Sequence, residues 1–200
     1  MSTTMAIAPV ESTGASDDAT LVARAKAGDR HAFGTLADRH ATQLRRVVFR
    51  ITHNCDAAYD VVQDALLLAW LNIGRFQGRS QFSTWLIRIG INEAYRGLRR
   101  GRFELAVAPD DLVYERITSE GHGPARIAES HDFLAAIDRA LAELPIDYRT
   151  AVVLRDVEGL TTEEAAHALG IGERALKSRL HRGRMALRDE LEPYLAGGDD

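Results

Sequence analysis

The chain has 200 residues, 46% of them hydrophobic, and carries 25 Lys and Arg against 29 Asp and Glu, for a formal net charge of −4. This composition excludes a disordered chain, and the length suffices for one or two domains with their own cores. The longest apolar run, residues 65–71, is far shorter than the ~20 residues that cross a bilayer. The first ten residues contain no Lys or Arg, so we expect no secretory signal, and the single cysteine, Cys55, excludes an internal disulfide framework. We therefore expect a cytoplasmic protein.

The charge is unevenly distributed along the chain. Residues 21–104 carry 14 Lys and Arg against 7 Asp and Glu, a net +7, whereas residues 105–131 and 191–200 each carry a net −3. A basic domain between acidic segments favours a polyanionic partner. A solvated arginine-rich face would give the same pattern, so the charge alone leaves both interpretations open.

Apolar residues repeat every three or four positions throughout the chain, which predicts helices and no strands. In the first half Asp29 is the expected N-cap of a long helix, and Gly74 is expected to follow the end of another. We predict four helices here: around Leu21, from Asp29 to about Ile51, over residues 56–73, and from Ser80 or Ser83 to Arg100. They form a predicted domain over residues 18–101, after a disordered tail over residues 1–17.

The periodicity is lost over residues 102–129, which are acidic and contain Pro109 and Pro124. A stretch of this length without periodicity does not belong inside a compact domain, so we predict a flexible acidic linker. A second helical domain is predicted over residues 130–192. An acidic tail over residues 193–200 follows it, and we expect no appended regulatory domain.

The second domain ends in a predicted helix-turn-helix. Thr161 and Glu164 have the spacing of a capping box, and the Gly170-Ile171-Gly172 segment supplies a tight turn. The last helix has an apolar face made of Leu176, Leu180, Gly183 and Leu187. Its opposite face is basic and comprises Arg174, Lys177, His181, Arg184 and Arg188. Such a helix fits the ~12 Å major groove of DNA, although a solvated amphipathic helix has the same pattern.

Three motifs resemble the bacterial RNA polymerase sigma factors of the extracytoplasmic-function (ECF) group of the sigma-70 family, and the resemblance as a whole covers about residues 20–190. Residues 58–70, AYDVVQDALLLAW, resemble the polymerase-binding helix of that family. Residues 82–92, FSTWLIRIGIN, resemble its promoter −10 helix, and residues 144–182 are similar to its −35 reader. The resemblance implies an all-α protein with a four-helix sigma region 2 domain and a helix-turn-helix sigma region 4 domain.

The resemblance also implies roles for individual side chains. The residues matching polymerase contacts are Asp60, Gln63 and Asp64. Asn92 and Arg96 match positions that contact the −10 element, and Arg88 extends the same stripe. Phe76, Arg79 and Ser80 lie in the loop that forms a pocket for a flipped base in the family, where Arg79 is expected to contact the sugar-phosphate backbone. Phe76 is open to two interpretations, a platform for a flipped base or a core anchor. The −35 contacts and their basic neighbours are Arg174, Lys177, Ser178, Arg179, His181 and Arg182. Arg174-Ala175 replaces the Gly-Thr with which the family commonly starts this helix, so the −35 sequence that is read can differ.

The implied function is that of a sigma factor that binds core RNA polymerase, through the clamp helices of its largest subunit and its flap, and directs initiation at promoters with −35 and −10 elements. The resemblance implies that the protein has no enzyme activity, cofactor, metal or small-molecule substrate. It also implies an anti-sigma factor as a partner and association with the nucleoid when polymerase is bound. A stand-alone helix-turn-helix regulator explains the last helix but gives the first two motifs no role. A helical nuclease or nucleotide-modifying enzyme would need clustered carboxylates or His/Cys ligands, and the one close His/Cys pair is His53 and Cys55.

Overall fold

The computed structural model describes residues 13–104 and 136–195, with side chains from residue 17 to residue 192. The predicted N-terminal tail up to residue 12, the predicted linker from residue 105, and the end of the acidic tail lie outside the described residues. All regular structure within the described ranges is helical, which confirms the all-α prediction. We call residues 13–104 the N-unit and residues 136–195 the C-unit.

The N-unit consists of four helices around an aliphatic core. They are α1 (Thr13–Lys26), α2 (Arg30–Thr52), α3 (Cys55–Asn72), followed by a 3₁₀ turn (Ile73–Arg75), and α4 (Phe82–Arg99). Asp29 caps α2 as predicted, because its carboxylate accepts hydrogen bonds from the backbone N–H groups of His31 and Ala32. Both hydrogen bonds lower the pKa of Asp29, and the bond from Ala32 has the largest effect. Leu36, Leu44 and Leu86 are fully buried where the helices meet.

Both ends of the N-unit extend beyond the predicted boundaries of 18 and 101. At the N-terminal end α1 begins at Thr13, and Asp17 and Asp18 on α1 form ion pairs with Arg39 on α2. At the C-terminal end Arg102 bonds to Asp64 on α3, 2.7 Å away. The side chain of Phe103 packs against the buried Gly97. Ion pairs and aromatic packing therefore attach to the N-unit residues that the sequence pattern assigned to a tail and to a linker.

The C-unit contains the predicted helix-turn-helix. Its described helices are α5 over residues 136–143, α6 (Ile146–Val152) continued by a π turn (Val153–Val157), α7 (Thr162–Leu169) and α8 (Glu173–Leu195). The capping box is formed: Thr161 Oγ1 accepts from the backbone N–H of Glu164 at 3.1 Å, and the Glu164 carboxylate accepts from the backbone N–H of Thr161 at 2.9 Å. Gly170 adopts a left-handed conformation with φ 64°.

The apolar face of α8 packs as predicted. Leu176 and Leu180 are buried, and Gly183 lies so close to α6 that a Cβ atom there would be 2.8 Å from Val152 Cγ2. The two units also contact each other, because α4 packs on α7 and α2 packs on the π turn. No helix within residues 13–104 and 136–195 is long and apolar enough to cross a membrane.

Candidate nucleic-acid interface

The outward face of α3 carries the three residues that match polymerase contacts. Asp60 and Gln63 are exposed and Asp64 is half-buried, and the spacing of three and four puts all three on one face of the helix. Leu67 and Leu71 continue this face and are 58% and 68% exposed. Adjacent leucines that remain in solvent beside carboxylates are typical of a surface that docks another protein.

Sequence reasoning missed two components of this face. Arg102 was assigned to the linker, yet its guanidinium donates to Asp64 and the bond raises the pKa of Arg102. Leu67 and Leu71 were part of an apolar run that indicated a core helix. Their spacing of four residues was a signal, but periodicity cannot distinguish an exposed apolar face from a buried one.

Phe76, in the loop between α3 and α4, is buried in an aromatic cluster. Its ring lies 6.0 Å from that of Phe82, edge to face, and 5.1 Å from that of Trp85. Lys26 Nζ donates to the backbone carbonyl of Phe76 at 2.5 Å and lies 5.8 Å from the ring centroid. Of the two interpretations of Phe76, the geometry therefore favours the core anchor.

A cavity of about 350 Å³ opens between α1 and this loop. Its lining includes Val22, Lys26, Phe76, Gln77, Ser80 and Phe82. The volume falls at the lower end of the ~300–1,000 Å³ found for ligand pockets. The aromatic rings and the lysine beside it suit a flat, electron-rich group such as a nucleobase. Ser80 lies on the lining of this cavity, whereas Arg79 is exposed in the loop.

On α4 the residues matching −10 contacts are arranged one turn apart. Asn92 is exposed, and Arg96 is exposed and forms an ion pair of 3.1 Å with the buried Glu93. Arg88 is half-buried, because its Nη1 lies 3.5 Å from Nε2 of His167 on α7. The structure thus places Arg88, Asn92 and Arg96 along one helix, with the end at Arg88 next to the C-unit.

The residues matching −35 contacts and their basic neighbours lie on α8, in two groups. The exposed group faces away from the C-unit and contains Arg174, Lys177, Ser178 and His181. The second group is tied to α6: Arg179 Nη2 lies 3.2 Å from the Asp147 carboxylate, and Arg182 Nη1 donates to the hydroxyl of Tyr148 at 3.0 Å. The hydrogen bond with Tyr148 raises the pKa of Arg182.

Two protein families match the sequence over the two units. "Sigma-70 region 2" matches residues 36–104, and "Sigma-70, region 4" matches residues 134–187. The RNA polymerase sigma-H factor of Pseudomonas aeruginosa is 33% identical over 184 residues, which cover 89% of this chain and 95% of that protein. The ECF RNA polymerase sigma factor SigW of Bacillus subtilis is 31% identical over 176 residues, which cover 85% and 94%.

Solved structures also resemble the fold. CnrH in complex with the cytosolic domain of CnrY has a TM-score of 0.65 and 28% identity, and the match covers 88% of this chain and 98% of that one. The sigma factor RpoE in complex with the anti-sigma factor NepR from Bartonella quintana has a TM-score of 0.62 and 26% identity, covering 80% and 96%.

Proposed function

The chain belongs to the ECF group of the sigma-70 family of RNA polymerase sigma factors, and from this premise we propose which of its surfaces hold the polymerase and the promoter. The predicted function is confirmed: the protein is a sigma factor that binds core RNA polymerase and directs initiation at promoters. One observation carries the assignment of surfaces. A single molecule displays both a protein-docking helix face on α3 and a basic helix presented by a tight turn, α8.

The α3 face binds the clamp helices of the polymerase's largest subunit. Asp60 and Gln63 are exposed and available for charged and polar partners, and Leu67 and Leu71 supply apolar area that becomes buried on docking. Asp64 is already paired with Arg102. Asp64 therefore contacts the polymerase either while still paired with Arg102 or after a polymerase side chain has replaced Arg102 as its partner.

The −10 element is held by α4 and by the cavity beside it. The exposed guanidinium groups of Arg79 and Arg96 are suited to phosphates, and the amide of Asn92 can bond to a base edge. Phe76 forms part of the cavity wall that receives a flipped base, and Ser80 offers a hydroxyl at its rim. Arg88 joins this surface once it leaves His167.

The −35 element is read by α8 in the major groove. Arg174, Lys177, Ser178 and His181 form its exposed contact face. Arg179 and Arg182 lie to the side of this face and are orientated by Asp147 and Tyr148 on α6. From that position they can hold phosphates. The flap of the polymerase is the docking partner of the C-unit.

The protein belongs to a family that is not a class of enzymes, and we infer that it performs no catalysis of its own. We place it in the cytoplasm, and at the nucleoid when polymerase is bound. RpoE of Bartonella quintana was solved with an anti-sigma factor, and by analogy an anti-sigma factor is the regulatory partner of this chain.

Substitutions on α3 and α4 test these surfaces separately. Leu67→Asp combined with Leu71→Asp is expected to lower the affinity for core polymerase at least tenfold, measured by fluorescence anisotropy of labelled protein. Asn92→Ala combined with Arg96→Ala is expected to leave that affinity unchanged while reducing open-complex formation, measured by permanganate reactivity of unpaired thymines. An α3 double variant that binds core polymerase like the wild type would overturn the docking assignment.

A further inference from the structure

A buried carboxylate lies on α4, the helix that we assign to the −10 strand. Glu93 directly follows the exposed Asn92, and its side chain is only 7% exposed. The proposed function gives Glu93 no role. A carboxylate on a DNA-binding helix repels phosphates, and its burial costs free energy as well. The presence of Glu93 at this position therefore needs a physical reason.

Arg96, one turn later on α4, is the ion-pair partner of Glu93 within residues 13–104 and 136–195. Its Nη1 lies 3.1 Å from Glu93 Oε1, and the spacing of three residues puts both side chains on one face of the helix. Arg102 is a second cation near Glu93, but it is bonded to Asp64 at 2.7 Å. The bond to Asp64 first, and the charge of Glu93 to a lesser extent, raise the pKa of Arg102. Glu93 therefore depends on Arg96 for its direct charged contact.

The ion pair restrains Arg96 but leaves part of its guanidinium accessible. The side chain of Arg96 is 48% exposed. A guanidinium has five N–H donors in a rigid fork, so one nitrogen can bond to Glu93 while the others face solvent. Because a buried carboxylate that loses its cation is strongly disfavoured, Glu93 holds the guanidinium and offsets its charge before DNA arrives.

Arg99, one further turn along the same helix, lacks this restraint. It is exposed and forms no ion pair with any residue that the structure describes. An unrestrained arginine attracts phosphates of any sequence, whereas an orientated one favours a partner at a fixed position. Arg96 and Arg99 therefore have the same charge but differ in how selectively they can use it.

We propose that Glu93 is a positioning residue that sets the selectivity of the −10 surface through Arg96. By holding the guanidinium, Glu93 weakens its attraction to phosphates of arbitrary sequence and fixes the donors that contact the −10 strand. The restraint on Arg96 is a property of the free chain and does not depend on the proposed function. The gain in selectivity rests on the proposed function, because it requires that Arg96 contacts the −10 strand.

Removal of the charge of Glu93 tests the restraint on the free chain. Glu93→Gln keeps the shape of the side chain and releases Arg96, so a mixed-sequence single-stranded oligonucleotide is expected to bind about threefold more tightly. The slope of log affinity against log salt concentration is expected to steepen by about 0.7, as for one more phosphate contact with a single strand. Fluorescence anisotropy of the labelled oligonucleotide measures both quantities, and an unchanged slope would contradict the proposal.

Two backgrounds determine whether Glu93 acts through Arg96. In Arg96→Ala, the further change Glu93→Gln is expected to alter the affinity less than about 1.5-fold, whereas in Arg99→Ala the gain of about threefold is expected to remain. Equal gains in both backgrounds would show that Glu93 acts only as a negative charge near DNA, and would overturn the proposal. Asp38→Asn removes an exposed carboxylate on α2 and is the control for net charge, with an unchanged slope expected.

A folding control accompanies these measurements. If Glu93→Gln loses its helical circular dichroism signal, Glu93→Asp replaces it in every arm. The aspartate withdraws the carboxylate from Arg96 by one methylene and is expected to steepen the salt slope in the same direction. An unchanged slope in a folded Glu93→Asp variant would contradict the restraint.

The holoenzyme tests the selectivity. The probe is the non-template strand upstream of a start site mapped by run-off transcription, and a scrambled strand of the same composition is its control. We expect the wild-type holoenzyme to prefer the promoter strand and Glu93→Gln to reduce this preference about threefold. A preference that Glu93→Gln retains in full would overturn the proposal. If the wild type shows no preference while the free chain gives the expected salt slopes, the proposed function fails and the restraint on Arg96 is supported.

Discussion

Three backbone carbonyls depend on the side chain of Arg149. Its guanidinium is buried and donates to three carbonyl oxygens, in α2, in α5 and just after α5. Burial lowers the pKa of Arg149. Nothing in the local sequence indicates this, because the carbonyl of Ile51 is 98 positions away along the chain.

Replacing Arg149 therefore has a large effect on stability. Arg149→Met is expected to lower the free energy of unfolding by about 3 kcal/mol, since each buried carbonyl that loses its partner costs roughly 1–3 kcal/mol. Urea denaturation followed by circular dichroism measures the change. Arg139→Met, at an exposed position on α5, is the control and is expected to stay within ~0.5 kcal/mol of the wild type. Equal midpoints for both variants would contradict the role given to Arg149.

His53 makes stability depend on pH. It ends α2 in a left-handed conformation with φ 50°, is 2% exposed, and neither ring nitrogen has a hydrogen-bond partner among the described residues. Burial, and then the charge of Arg149, lower the pKa of His53 from 6.5 to about 4. The unfolded chain therefore binds the proton more readily than the folded one. The stability that neutral His53 contributes is complete above pH 6.5 and is lost as the pH falls towards 4.

The expected size of this loss is measurable. Between pH 7 and pH 5 the wild type should lose about 2 kcal/mol more than His53→Asn, because asparagine tolerates the left-handed conformation and does not titrate. Urea denaturation at both pH values measures the difference. His31→Asn, on the exposed surface of the same helix, should follow the wild type. Parallel losses in the wild type and in His53→Asn would show that His53 is not the titrating group.

At the scale of elements, the sequence predicted those features that depend on neighbouring residues. The capping box at Thr161 and Glu164, the left-handed Gly170 and the Asp29 cap all form as expected because each is decided within a few positions of chain. The same reasoning missed Arg102, which looked like the start of a linker. Its position is fixed by Asp64, a carboxylate 38 residues earlier.

The close packing of α8 on α6 predicts the effect of a single methyl group. Gly183→Ala would place Cβ 2.8 Å from Val152 Cγ2 and 3.3 Å from the carbonyl oxygen of Tyr148. Overpacking of this kind costs about 1–3 kcal/mol, more than the ~1 kcal/mol that alanine gains over glycine in a helix. We expect a lower thermal midpoint. Gly34→Ala on α2 meets no atom within 4 Å and should raise the midpoint, so a stabilised Gly183→Ala would contradict the packing.

The cations on the basic face of α8 differ in how closely a carboxylate already pairs with them. Lys177 is exposed, with only a 3.5 Å ion pair to Glu173, whereas Arg184 donates to both oxygens of Asp156, at 2.9 and 2.6 Å. We expect Lys177→Ala to weaken promoter binding by the holoenzyme about five-fold and to reduce the salt slope by about one. Arg184→Ala should change binding less than about twofold, because Asp156 already engages its donors. Filter binding at several salt concentrations measures both, and equal losses would contradict the distinction.

At the scale of the molecule, the sequence predicted two helical units and the family, but not how the units meet. The motifs that carry the resemblance are local helix patterns, whereas the buried apolar residues of both units form one continuous cluster. The contact between the units includes polar residues, Arg50, Arg149 and Glu158, that look like solvent-facing positions in a helical pattern. The predicted domain boundaries and site residues remain predictions, and the structure supplies the surfaces on which to test them.

Run-off transcription with mapping of the 5′ ends shows whether the chain directs polymerase to promoters. The purified chain is combined with core RNA polymerase and a library of genomic fragments, and the start sites of transcripts that require the chain are aligned. We expect discrete start sites that share one sequence element near −10 and a second near −35. We also expect Asn92→Ala combined with Arg96→Ala to reduce the output from these start sites. Transcripts that do not depend on the chain, or start sites with no shared upstream elements, would contradict these expectations.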